Sequence, residues 1–90
     1  MNWLRKAADQ GFAKAQSYLG SLYAEGRGVV PQDYVLAHMW SNLAAARFSE
    51  VDIDSLEDAA KVRDRVASKM PPAQLEEAQR LAREWKPDSQ

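Results

Sequence analysis

A tryptophan followed by three residues and an alanine pair occurs twice in this chain, 37 positions apart. The segments WLRKAADQG (3–11) and WSNLAAARF (40–48) align so that Trp3 corresponds to Trp40. Between them lie one helix-like segment, a glycine-rich turn and a second helix-like segment. A period of this length is close to that of helix-pair solenoids. The repeat therefore predicts stacked antiparallel helix pairs.

The rest of the chain agrees with an all-α fold. No segment shows sustained period-two alternation or an enrichment in β-branched residues, which argues against strands. Alanine, leucine, glutamate and arginine, all good helix formers, dominate the sequence. The apolar spacing and the positions of glycine and proline predict about five helices, over 2–10, 12–25, 33–48, 55–69 and 72–85.

Several residues mark the ends of these helices. Gly26 is placed to end the second helix in a left-handed conformation. Asp33 is a suitable N-cap for the third helix. For the fourth helix two capping boxes are open, Asp54 with Glu57 or Ser55 with Asp58.

Gly20 lies in the middle of the second predicted helix, where glycine costs about 1 kcal/mol relative to alanine. Close packing against another helix would offset that cost. We expect Gly20 and small residues such as Ala37 to allow the approach of large partners such as Tyr23 and Trp40. The buried face of this helix is predicted to contain six residues: Phe12, Ala15, Gln16, Leu19, Gly20 and Tyr23. All three tryptophans are expected to lie in the core.

The run from 11 to 46 resembles the Sel-one-like repeat family, relatives of the tetratricopeptide repeats. The first-helix pattern of that family is matched by Gly11, Ala13, Ala15, Gln16, Leu19, Gly20, Tyr23, Gly26, Gly28 and Val29. The second-helix pattern is matched by Asp33, Ala37, Trp40, Ala44 and Ala45. Segment 59–87 resembles the closing segment common on bacterial members. The resemblance implies a right-handed α-α superhelix and a role in protein–protein interaction.

The resemblance also divides the chain into parts of a single helical-repeat domain over residues 1–90. Residues 1–11 correspond to the second helix of an incomplete repeat, 12–48 to one full repeat, and 49–90 to C-terminal closing helices. Segment 48–58 departs from the repeat pattern. A glycine and the start of a new repeat are expected near Phe48, but the sequence there reads FSEVDIDSLED.

No catalytic, metal or cofactor site is predicted, and the protein is not expected to be an enzyme. Cysteine is absent, and His38 is the only histidine, which we expect to be a partly exposed packing residue. The glycines of GRGVVP (26–31) follow a helix and lack the strand that a phosphate-binding loop requires. The acidic run 50–58 lacks the glycine and glutamate of a calcium-binding EF-hand.

Charge and hydropathy exclude two further classes of partner. Twelve basic and thirteen acidic residues nearly balance, which argues against general nucleic-acid binding. No apolar run is long enough to insert in a membrane. No compartment is indicated.

The leading hypothesis is a non-catalytic scaffold that binds a partner protein or peptide on a concave surface formed by first helices. The candidate contact residues on the second helix are Lys14, Tyr18 and Ser21. A basic stripe on the fourth helix, Lys61, Arg65 and Lys69, is read mainly as a solvated face, with docking of an acidic partner as the alternative.

The other hypothesis is a capping and oligomerisation segment of a longer repeat protein. Its first helix lacks a partner helix, so an apolar face should be left uncovered. That face would consist of Trp3, Leu4, Ala7 and Ala8. We expect a homo-oligomer, a dimer, to form through it.

Overall fold

The computed structural model describes residues 2–26, 31–48 and 53–86, and these residues form five helices and no strand. The helices are α1 (Asn2–Asp9), α2 (Ala13–Glu25), α3 (Tyr34–Phe48), α4 (Ile53–Ala67) and α5 (Pro72–Glu84). The all-α class is confirmed, and the packed helices form a repeat solenoid. No helix in the described ranges combines the length and apolar character that a membrane crossing requires.

The central helix is α3, which contacts α2, α4 and α5, while α1 packs on α2. Helix α2 also contacts α4 directly. Residues 14–21 of α2 share a groove with 55–62 of α4, and 24–25 share a second groove with 65–69. Residue numbers thus rise in the same direction along both helices. We conclude that α2 and α4 run parallel, as the first helices of successive repeats do.

The interior glycine of α2 sits where α3 comes closest. A Cβ built on Gly20 would lie 3.1 Å from the Ser41 backbone nitrogen and 3.3 Å from the Ala37 carbonyl oxygen, and nearer still to Ser41 Oγ. These contacts confirm that Gly20 is a packing glycine. Its partners differ from those expected, because the helix crossing brings the backbone of α3, rather than large side chains, against it.

Two predicted caps shape the connection from α2 to α3. Gly26 ends α2 with φ 67° and donates its N–H to the Leu22 carbonyl at 2.8 Å. Asp33 caps α3 by accepting the Leu36 N–H on Oδ1 at 3.1 Å. Asp33 also donates its own N–H to the carbonyl of Tyr23 at 2.9 Å. Both predictions are confirmed, and the hydrogen bond to Tyr23 ties the start of α3 to the end of α2. Residues 27–30 lie outside the described ranges, so the predicted turn at Gly28 and Val29 is not described.

The starts of α2 and α4 differ from the predictions. Phe12 precedes α2 with an extended backbone, and its side chain is 61% exposed rather than on the buried face. Helix α4 begins at Ile53, so Asp54 and Ser55 already lie within its first turn. Both predicted capping boxes are therefore wrong. An acid in that turn still suits the positive end of the helix dipole.

The core is built around Trp40, which is 1% exposed. Its ring meets that of Trp85 edge-on, with centroids 6.3 Å apart. The Arg5 guanidinium lies 5.7 Å from the Trp40 ring centroid, which brings α1 next to α3. Trp85 is partly buried, and the Arg47 guanidinium lies 6.0 Å from the centroid of its ring. The prediction that all three tryptophans lie in the core is confirmed for Trp40 and Trp85 and is wrong for Trp3, which is exposed.

Candidate functional site

A groove of about 570 Å³ runs along the surface where α2 and α4 lie side by side. It brings three predicted contact residues of α2 together with the first member of the basic stripe on α4. Eight residues line it: Lys14, Ser17, Tyr18, Ser21, Ser55, Asp58, Lys61 and Val62. Polar groups on both walls surround the ring of Tyr18, which is 53% exposed.

The spacing of residues on α2 explains why these side chains face the groove. Leu19 is fully buried in the core, Gly20 is buried against α3, and Gln16 is buried beneath α1. Positions 14, 18 and 21 recur at intervals of three and four, so they form one stripe on the remaining face. The groove wall is thus the face of α2 that neither α1 nor α3 covers.

A second groove, of about 340 Å³, continues along the same two helices. Arg65 and Lys69 line it together with Gln32 from the α2–α3 connection and Tyr34 at the start of α3. Val66, which is 1% exposed, forms part of its wall. Helix α2 contributes Ala24 to the wall of this groove. Ala24 is only 7% exposed, although it does not belong to the face of α2 that was predicted to be buried. The three stripe residues therefore line two successive grooves.

Positive charge prevails along these grooves. The cations are Lys14 and Lys61 in the first groove and Arg65 and Lys69 in the second, against the acids Asp58 and Glu25. In the described part of the chain, none of these four cationic groups is within ion-pair distance of a carboxylate. Their charges are consequently available to an external anion.

A model of the Sel1 repeat family matches residues 1–12 and 13–47. The chain belongs to the Sel1 repeat family. The second match contains α2 and nearly all of α3, and the first contains α1. No curated protein and no solved structure matches the chain significantly.

Family membership gives a general function. Sel1 repeats generally mediate contacts between proteins, and the family is one of non-catalytic scaffolds. In the described ranges of this Sel1 repeat protein, no three histidine or carboxylate side chains are grouped to hold a metal ion. Glu50 and Asp52 of the acidic run lie outside those ranges.

Helix α1 does not present the four-residue apolar face that was expected of it. Leu4 is 4% exposed and Ala8 is fully buried, since both pack with Leu19 and Trp40 in the core. Gln16 further joins α1 to α2 by donating its Nε2–H to the Ala8 carbonyl at 3.1 Å. Only Trp3, 73% exposed, lies fully on the surface, and Ala7 is partly buried. The prediction was wrong because α2 covers the inner side of α1.

His38 is buried rather than partly exposed, with 4% of its surface accessible. Its Nδ1 has no hydrogen-bond partner in the described residues. Burial is the main cause that lowers its pKa below the usual 6.5, and the nearby Arg63 guanidinium lowers it further, while Asp64 acts in the opposite direction. We conclude that the imidazole is a neutral part of the α3–α4 contact at pH 7, because its pKa lies below 6.5.

Sequence reasoning missed half of the first groove. Ser17, Ser55, Asp58 and Val62 line it, and none of them was a candidate contact residue. The sequence of α4 did contain a signal for these groove residues. Positions 55, 58, 61 or 62, and 65 are three or four residues apart, so they lie on the side of the helix that carries the basic stripe. That spacing defines a face of α4, but it does not say that α2 lies beside it.

Proposed function

We propose that the protein is a non-catalytic interaction module that binds a segment of another protein in the groove between α2 and α4. The observation that carries the proposal is the convergence of Lys14, Tyr18, Ser21 and Lys61 on one open groove. Membership in the Sel1 repeat family supports a protein as the partner.

The chemistry of the groove suits a peptide. Tyrosine offers a large apolar ring with a hydroxyl group, and it is among the residues that contribute most to protein interfaces. The hydroxyl groups of Ser17 and Ser21 on the α2 wall can exchange hydrogen bonds with a peptide backbone. The parallel first helices of a solenoid form extended binding surfaces of this kind.

The test is selection of peptides from a random twelve-residue phage library, followed by affinity measurements on Tyr18→Ala and Trp3→Ala. Both residues are exposed aromatics, at 53% and 73%, so the second variant is a matched control on α1. Loss of the Tyr18 ring should weaken binding by about 5- to 30-fold, or about 1–2 kcal/mol. Trp3→Ala should bind as the wild type does. Peptides that depend on Trp3 and not on Tyr18 would contradict the proposal.

The alternative, self-association through α1, has less support. With Leu4 and Ala8 in the core, the outer side of α1 offers Trp3 and part of Ala7, next to the charged Arg5 and Lys6. A stable protein interface buries about 800 Å² on each partner. One exposed tryptophan supplies only a fraction of that area, so we do not extend the proposal to a dimer.

A further inference from the structure

The basic stripe of α4 has a regular spacing, and its side chains form no ion pair within the described residues. Lys61, Arg65 and Lys69 follow one another at intervals of four residues, and all three side chains are exposed. At 1.5 Å per residue, successive members rise by about 6 Å along the helix axis and turn by about 40° around it. The stripe is therefore a row of three cations about 12 Å long.

An extended peptide repeats at nearly the same distance. Side chains on one side of a strand recur every second residue, or about every 6.7 Å. Carboxylates at alternate positions of an extended segment would therefore meet the three cations one by one. The mismatch of about 0.7 Å per step, and the turn of the stripe, lie within the reach of long, flexible lysine and arginine side chains.

We infer that the partner segment bound along α2 and α4 is an extended, acidic peptide with carboxylates at alternate positions. Lys61, Arg65 and Lys69 contact these carboxylates, while Lys14 on the opposite wall adds a fourth positive charge and the Tyr18 ring packs against the peptide. This inference rests on the proposed function, because it names the chemistry of the partner for the same grooves.

The acidic residues of the grooves provide a second test, in which the expected change in affinity has the opposite sign. Asp58 lies in the first groove with Lys61, and Glu25 lies in the second with Arg65 and Lys69. A carboxylate in the groove repels an acidic peptide. Replacement of Asp58 with asparagine should therefore tighten binding, whereas removal of a cation should weaken it.

Three synthetic probes of equal charge test the inference by fluorescence anisotropy. The first peptide has the order Gly-Glu-Ser-Glu-Ser-Glu-Gly, and the second has the same composition with three consecutive glutamates. The third is an alanine-rich helical peptide with glutamate at every fourth position. The alternating peptide should bind at least threefold more tightly than either of the others. Its affinity should fall as salt is raised, since salt screens exposed charge pairs.

Matched variants locate the binding site. Arg65→Gln and Lys61→Gln should each weaken the alternating peptide by about 2- to 5-fold, the range for one exposed ion pair. Lys6→Gln, an exposed cation on α1, should not change the affinity. Asp58→Asn should tighten binding by about twofold. Circular dichroism of each variant verifies that the helices are intact.

Some outcomes would overturn the inference. Equal affinity for the alternating and consecutive peptides would refute the spacing, and tighter binding of the helical peptide would refute the extended form. Insensitivity to Lys61→Gln and Arg65→Gln would refute the stripe as the contact. If neutral library peptides still depend on Tyr18, the proposed function stands and only the acidic partner fails. If no peptide of any charge depends on Tyr18, both fail.

Discussion

Replacement of Gly20 with alanine sets two opposite effects against each other. Alanine is preferred over glycine inside a helix by about 1 kcal/mol. The added Cβ, however, would meet the Ser41 nitrogen at 3.1 Å, the Ala37 oxygen at 3.3 Å and Ser41 Oγ more closely still. Overpacking of a well-packed contact costs about 1–3 kcal/mol. Two of the three contacts are backbone atoms that only a shift of α3 can relieve, so the overpacking cost should lie at the upper end, about 2–3 kcal/mol, and the net loss should be about 1–2 kcal/mol.

Urea unfolding followed by far-UV circular dichroism measures this loss. Ser41→Ala helps to assign it, because Ser41 Oγ is buried and has no hydrogen-bond partner in the described residues. That variant should be neutral or slightly stabilising by itself, and it should recover part of the loss in the double variant with Gly20→Ala. Ser21→Ala, on the groove face of the same helix, should stay within about 0.5 kcal/mol of the wild type. A gain of about 1 kcal/mol for Gly20→Ala would refute the close approach of α2 and α3.

Three other perturbations test separate parts of the fold. Trp40→Ala should cost about 3–5 kcal/mol and leave the chain largely unfolded, whereas Trp3→Ser should change the free energy of unfolding by less than about 0.5 kcal/mol; similar losses would contradict the different burial of the two tryptophans. Gln16→Leu removes one of the two donors to the Ala8 carbonyl and leaves the Gly11 N–H, so it should cost about 0.5–1.5 kcal/mol and reduce hydrogen-exchange protection in α1; unchanged protection would refute the Gln16 link. The lowered pKa of His38 means that the unfolded chain binds more protons in the window from 6.5 down to the folded-state pKa. The stability contributed by His38 should therefore be fully present above pH 6.5 and decline as the pH falls through that window. His38→Gln should flatten this decline below pH 6.5, and an unaltered slope would show that other groups cause it.

Features that depend on neighbouring residues along the chain could be predicted from the sequence. The left-handed turn at Gly26 and the cap at Asp33 are examples, since each depends on one residue and the helix end beside it. The start of α4 shows the limit of such local rules. Several acids and a serine in DIDSLED can each cap a helix, so the local sequence does not single out the start at Ile53.

Burial was harder to predict, because it depends on which helix covers a face. Trp3 and Trp40 occupy the same position in the internal repeat, yet one is 73% exposed and the other 1%. Helices α2 and α5 and residue Arg5 surround Trp40, whereas Trp3 lies on the outer side of α1. His38 was misjudged for a similar reason, since α4 covers a side of α3 that its own apolar stripe does not mark.

The residues of the candidate site could be selected on each helix separately, but their arrangement as a groove could not be predicted. Lys14, Tyr18 and Ser21 follow from the face of α2 that its core stripe leaves free, and Lys61, Arg65 and Lys69 follow from their regular spacing. That the two sets line neighbouring grooves results from the parallel packing of α2 and α4. Helix packing of this kind becomes visible only in three dimensions.

The most direct test of the proposed function is NMR mapping of a library-selected peptide on the isotope-labelled chain. We predict that the largest backbone shift changes occur at five residues that line the groove: Ser17, Tyr18, Ser21, Lys61 and Val62. Residues on the outer sides of α1 and α5, such as Lys6 and Arg83, should stay unchanged. Changes concentrated on α1 or α5, with the α2–α4 groove silent, would contradict the proposed function.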